Sequence, residues 1–93
     1  MNIEQLEQDW IERGFSFAIG TIKAGDAVSE AFHQDQDELV LMESGYYEFS
    51  IDDETFEQNG NIEVFIPAGS VHSIKNIGDQ DSKIYFGYKP VEK

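Results

Sequence analysis

A series of short apolar runs with a period of two, each cut off by a turn signal, limits what this chain can fold into. Phe15, Phe17 and Ile19 alternate with Ser16, Ala18 and Gly20, and the run breaks at Ala24-Gly25-Asp26. Further strand candidates occupy 38–43, 46–51, 62–66, 71–75 and 83–88. Between them stand Ser44-Gly45, Asp52-Asp53, Asn59-Gly60-Asn61, Pro67-Ala68-Gly69 and Gly78-Asp79, residue types that enter tight turns at low cost. Short strands at near-regular spacing, with no second helical pattern, predict an all-β antiparallel barrel or sandwich.

The helical pattern lies at residues 2–12. Ile3, Leu6, Trp10 and Ile11 fall at i, i+3, i+7 and i+8, one face of a 3.6-residue period. Asn2 suits the N-cap, and Gly14 just past Arg13 suits the stop. A helix this short needs a surface to lie on, and Trp10 reads as its packing anchor. The run 38–43 offers one. With Glu38 inward, Val40 and Met42 also point inward, while Leu39 and Leu41 point the other way. A strand apolar on both faces is covered on both. The outer cover is the helix or a second copy of the protein, and because one short helix covers little sheet, a homodimer is expected.

Size and charge narrow the function. The 93 residues make one domain, 1–93, without repeat, linker or low-complexity tract. Nineteen acidic residues against 6 basic ones give a net charge of −13, which argues against nucleic acid or anionic membrane as a partner. Cysteine is absent, which removes disulfides and thiolate chemistry. The start, MNIEQLEQDW, lacks the basic and apolar segments of a secretory signal, and no apolar run approaches the ~20 residues of a membrane span. A cytoplasmic location is expected.

The chain has two histidines, His33 and His72, each beside a strand-like run, and His33 precedes the acidic stretch Asp35–Glu38. Two imidazoles and a carboxylate brought together in a small barrel make either a metal site or a polar pocket. Nucleophile turns, phosphate loops and dinucleotide glycine patterns are all missing. No pair among the carboxylates is singled out for glycoside cleavage.

In two stretches the chain resembles the cupins. Gly25, five residues, Ala31, His33, four residues, Glu38, six residues and Gly45 follow their first motif, with Ala31 where the first histidine usually stands. Asn61, Pro67, Gly69, His72 and Asn76 follow the second, with Asn61 in place of glycine and Gly60 beside it. The likeness spans roughly residues 20–88. It implies an antiparallel, jelly-roll-like β-barrel with the short N-terminal helix outside it. Gly25, Gly45, Pro67 and Gly69 would serve its turns.

In metal-binding cupins the motif histidines and the glutamate hold one divalent ion. His33, Glu38 and His72 carry over as that set, whereas the Ala31 methyl ligates nothing. The remaining triad suits Fe(II), and also Mn, Ni or Zn with water completing the shell. Asp35 shares strand parity with His33 and could substitute as a ligand; Met42 is a further inward residue, and Asn76 reads as bonding backbone. Asp37 is expected in solvent. An alternative register would put Phe32 and Gln34 in the histidine slots and turn His33 away. The resemblance implies a metal-dependent dioxygenase or isomerase acting on a small oxygenated molecule. It equally admits a metal-free module that binds a small ligand, since some cupins have given up the metal. Of the tyrosines, Tyr46, Tyr47, Tyr85 and Tyr88 read mostly as packing, with one or two hydroxyls reaching the pocket.

Overall fold

The computed structural model describes residues 2–32 and 34–91, with the backbone alone at 29–32. Helix α1 (Ile3–Glu12) precedes β1 (Ala18–Ile22), β2 (Ala27–Phe32), β3 (Gln36–Met42), β4 (Tyr46–Ile51), β5 (Glu54–Asn59), β6 (Glu63–Ile66), β7 (Val71–Asn76) and β8 (Ser82–Pro90). The strands form two four-stranded sheets, ordered β1-β8-β3-β6 and β2-β7-β4-β5. Every pairing between neighbours is antiparallel. Among the described residues no helix is long and apolar enough to cross a membrane.

Two apolar clusters hold the layers together. Between the sheets pack Ile22, Val40, Met42, Tyr47, Phe49, Val64, Ile66, Ile74 and Ile84. Outside the first sheet, Leu39 and Leu41 pack with Trp10, Phe15 and Tyr85, and with half-buried Ile3, Leu6 and Phe17. Strand β3 is therefore covered on both sides, as its sequence requires, and the outer cover is α1 with the segment behind it. On the same face Ile19 and Phe65, across the ladders from Tyr85 and Leu39, stay 52% exposed.

Helix α1 begins where the Asn2 side chain accepts from the Gln5 amide at 3.1 Å, an N-cap. It stops at Gly14, whose φ of 92° reverses the chain. Glu63 on β6 clamps it: Trp10 Nε1 donates to Oε1 at 3.0 Å, and the two terminal Arg13 guanidinium nitrogens donate to the carboxylate at 2.9 Å. Ile11, expected on the packed face, is 56% exposed instead, because the contact stripe follows Ile3, Leu6 and Trp10.

The first strand also differs from the expectation. Phe15 and Phe17 precede it, and Ile19 is 52% exposed. Phe17 and Ile19 do share parity, but on the outer face, where the cover reaches Phe17 and not Ile19. The inward phase of β1 is the one that ends at buried Ile22. Strand β2 sets its apolar residues in pairs, Ala27-Val28 and Ala31-Phe32, and β5 has only one, half-buried Phe56, stacked on Phe49 with centroids 5.5 Å apart, so neither shows a period of two. Both are sheet edges.

The outer cluster yields one pH prediction. Burial, then the hydrogen bond to Glu43 and its charge, push the Tyr85 phenol up to about 12. An unfolded tyrosine titrates near 10, so the folded state holds its proton longer. Stability should fall as pH rises from about 10 towards 12. Absorbance titration should show a last phenolate forming near pH 12 that Tyr85→Phe removes while the other raised tyrosines still titrate; a final step unchanged by the substitution would refute the assignment.

Candidate functional site

The inward phase of β3, set by its apolar alternation, carries Glu38 into the interior with Val40 and Met42. The inward phase of β7 does the same for His72, Ile74 and Asn76. Because β3 and β7 belong to opposite sheets, these phases face one another. His72 Nε2 lies 3.0 Å from Glu38 Oε1, with the two residues 3% and 5% exposed. A buried carboxylate needs such a donor, since an uncompensated charge there would be very costly.

Tyr88 is the third polar residue at this place. It sits directly across from Glu38 in the β3–β8 ladder. Burial, then the charge of Glu38 and a hydrogen bond with it, raise the Tyr88 phenol above the usual tyrosine range. Tyr88 is the tyrosine whose hydroxyl reaches the pocket. Its signal in the sequence is phase: Ile84, Phe86 and Tyr88 alternate on one face of β8 while Tyr85 falls on the other.

These groups border a cavity of about 320 Å³. Its remaining walls are Gly20 and Thr21 from β1, Val28 from β2, Ile74 from β7, and Ile84 and Phe86 from β8. One end is polar and most of the wall is apolar, the usual make-up of a small-molecule site.

The other residues singled out by sequence take varied places. His33 lies outside the described residues. The backbone of Ala31 stands opposite His72 in the β2–β7 ladder, after a register shift between Val28 and Ala31. Asp35 is exposed in the turn before β3 and does not line the cavity. Met42 is buried in the core cluster rather than at the cavity. Four residues along a strand separate it from Glu38, about 13 Å. Asn76 bonds backbone: its Nδ2 donates to the carbonyls of Ile22 at 3.2 Å and Gln80 at 2.9 Å, and its Oδ1 accepts from the Gly78 amide.

The motif turns have physical reasons. Gly25, Gly45 and Gly69 all take positive φ, which costs glycine little. Asn61 has φ 66°, a conformation in which asparagine is the usual second choice after glycine. Adjacent Gly60 runs so close to Ser44 that a Cβ would lie 2.6 Å from its Cα. Asp37, expected in solvent, is half-buried and accepts from the Ala68 amide at 2.8 Å. It ties the Pro67-Ala68-Gly69 turn, and the start of β7 beyond it, to the strand that carries Glu38.

Among the described residues, no group of three His, Cys, Asp or Glu stands ready to hold a metal. Glu38 and His72 are two donors of the right kind. Their 3.0 Å separation suits a hydrogen bond and equally two donors side by side on one ion.

Comparison with known proteins agrees with this architecture. A family model described as the cupin domain matches residues 18–88. Polyketide synthase CurC of Streptomyces cyaneus is 27% identical over 73 residues, 78% of this chain and 47% of the relative. Protein SchB of Streptomyces halstedii is 25% identical over 73 residues, 78% of this chain and 53% of the relative. The chain thus spans about half the length of the curated relatives it matches. A predicted oxalate decarboxylase from Thermotoga maritima superposes with a TM-score of 0.77 at 19% identity, over 90% of this chain and 74% of that one. At that identity the likeness concerns the fold alone.

Proposed function

Because the chain belongs to the cupin domain family, we propose that its barrel holds one divalent metal ion and acts on a small oxygenated molecule, by dioxygenation or isomerisation. The observation that carries this reading is the meeting of Glu38 and His72, from opposite sheets, at the polar end of the cavity. In this reading His33 supplies the second imidazole. Its support is that Ala31, in the first histidine position of the motif that starts at Gly25, stands opposite His72, and that His33 follows two residues further on in the sequence. The metal would be Fe, Mn, Ni or Zn, all of which accept imidazole and carboxylate donors. When bound, such an ion polarises a carbonyl or enolate oxygen.

The chain's own residues do the rest. Val28, Ile74, Ile84 and Phe86 keep most of the wall free of polar groups, so charges at the polar end act in a poorly solvated space. The Tyr88 hydroxyl donates to Glu38, which steadies that carboxylate, and its oxygen can accept from a hydroxyl of the bound molecule. A phenol raised above its ordinary range keeps its proton, and so its bond to the carboxylate, well past neutral pH.

Protein expressed with these metals present should carry about one ion per chain, and His72→Ala at least about tenfold less. Metal-free protein that also takes up no Fe(II) or Zn(II) in calorimetry would overturn the metal. Ala31 favours a second reading, a ligand-binding module without catalysis. Stabilisation by a small molecule that ignores a chelator supports the module; stabilisation that vanishes with the chelator supports the metal site.

A further inference from the structure

We infer that the molecule taken by this cavity is uncharged, largely apolar and of one or two rings, with one oxygen-bearing end, and that Gly20 sets the width available to it. The inference rests on the reading above for where the site lies, and does not require the metal. Three independent observations carry it.

The first is how polarity is distributed along the wall. On β8 the inward residues run from Ile84 through Phe86 to Tyr88. In the β3–β8 ladder Ile84 pairs with Met42 and Tyr88 with Glu38. Four residues of strand, about 13 Å, therefore lead from an apolar end to the polar one. A ligand matching this gradient has an apolar body and a single polar end. About 320 Å³ is the low end of small-molecule cavities, which suits one or two rings.

The second is charge. None of Arg13, Lys23, Lys75, Lys83 and Lys89 lines the cavity. Arg13 is engaged with Glu63 outside the first sheet. Lys83 and Lys89 fall in the phase of β8 opposite to Ile84, Phe86 and Tyr88. The stretch 29–33, Ser-Glu-Ala-Phe-His, contains neither lysine nor arginine. Apart from a bound ion, which Glu38 already partly neutralises, a dicarboxylate such as oxalate would have to shed the hydration of two charges with no lysine or arginine among the lining residues to replace it. An uncharged molecule avoids that cost.

The third is Gly20. Its φ is not in the left-handed region, so the backbone does not demand glycine there. A Cβ at this position would meet only side chains, Ile84 Cγ2 at 3.3 Å and Phe86 Cε1 at 3.6 Å. A larger side chain would project into the cavity between the apolar end and its centre. The absent side chain lets Ile84 and Phe86, both cavity walls, close on the β1 backbone, and a larger residue would push them into the space a ligand's body would take.

Titration calorimetry with 2-naphthol, benzyl alcohol, benzoate and oxalate, each with and without a chelator, tests the inference. One of the uncharged probes should bind at least about tenfold more tightly than either anion. Gly20→Ala should weaken that binding severalfold, and Gly20→Leu should weaken it at least about tenfold, with melting temperatures confirming that both variants fold. Tighter binding of oxalate or benzoate, binding of no uncharged probe, or indifference to both substitutions would overturn it. The chelator separates the two readings. Uncharged probes that bind regardless of it uphold the ligand class without the metal. Anions that bind only in its absence uphold the metal and refute the ligand class.

Discussion

Gly87→Ala should lower the melting temperature by roughly 12–24 °C, which corresponds to about 3 kcal/mol in a domain of this size. A Cβ at Gly87 would lie 1.8 Å from the Ser16 carbonyl oxygen and 3.2 Å from Trp10 Cε3. The nearest atoms belong to backbone, which cannot swing aside. The approach is this close because the segment before β1 is laced to β8. The Ser16 amide donates to the Tyr88 carbonyl, and Ser16 Oγ accepts from the Tyr88 amide, both at 2.9 Å. Relieving the clash means breaking these bonds or shifting β8 at the residue next to Tyr88, so probe binding at the polar end of the cavity should weaken as well. Gly20→Ala is the internal control: its neighbours are side-chain tips at 3.3 and 3.6 Å, and its cost should stay at or below about 1 kcal/mol. Denaturant melts of the two variants decide the matter. Equal stabilities would show that the crowding at Gly87 does not constrain the fold.

Trp10→Ala should cost about 3–5 kcal/mol, the usual penalty for removing a buried indole. Trp10 is fully buried, packs edge-on against Phe17 with centroids 5.4 Å apart and donates to Glu63. The packing contribution outweighs the hydrogen bond, because Glu63 keeps both bonds from Arg13 when the indole is lost. Trp10→Phe, which retains a ring, should therefore cost about 1–2 kcal/mol. Loss of the indole loosens α1 from Leu39, Leu41 and Tyr85 and leaves the outer face of the first sheet open. The Ala variant should then self-associate with rising concentration in sedimentation, as an uncovered apolar sheet face would. A cost under about 1 kcal/mol, with no change in association, would mean that α1 is not the cover the sheet depends on.

Legibility in the sequence followed the strength of each local signal. Segments whose apolar residues repeat several times over, α1, β3, β4 and β8, could be read within a few residues of their ends. The turns at Gly25, Gly45 and Gly69 were marked by the residue type that positive φ favours, and even Asn61 in a glycine's place kept that conformation. Edge strands β2 and β5 left almost no trace, since β5 carries a single apolar residue, Phe56, and β2 sets its apolar residues in adjacent pairs rather than in alternation. Asp37 and Asp35 look alike as acidic neighbours in the sequence. Only the turn at Ala68, brought alongside from 31 residues away, makes Asp37 a structural carboxylate.

By itself the sequence determined the all-β class, the helix and its anchor, the two-faced strand, and the pairing of His72 with Glu38 as motif positions. Tertiary structure alone decided that α1 covers the sheet, that Tyr88 stands at the carboxylate, and that Gly20 borders a cavity while Gly87 sits at a crowded crossing. The reason is geometric. Periodicity reports which face a residue takes along its own strand. Which residue lies across from it depends on register between segments tens of residues apart, Ser16 with Tyr88 and Glu38 with Tyr88, and no local spacing carries that information.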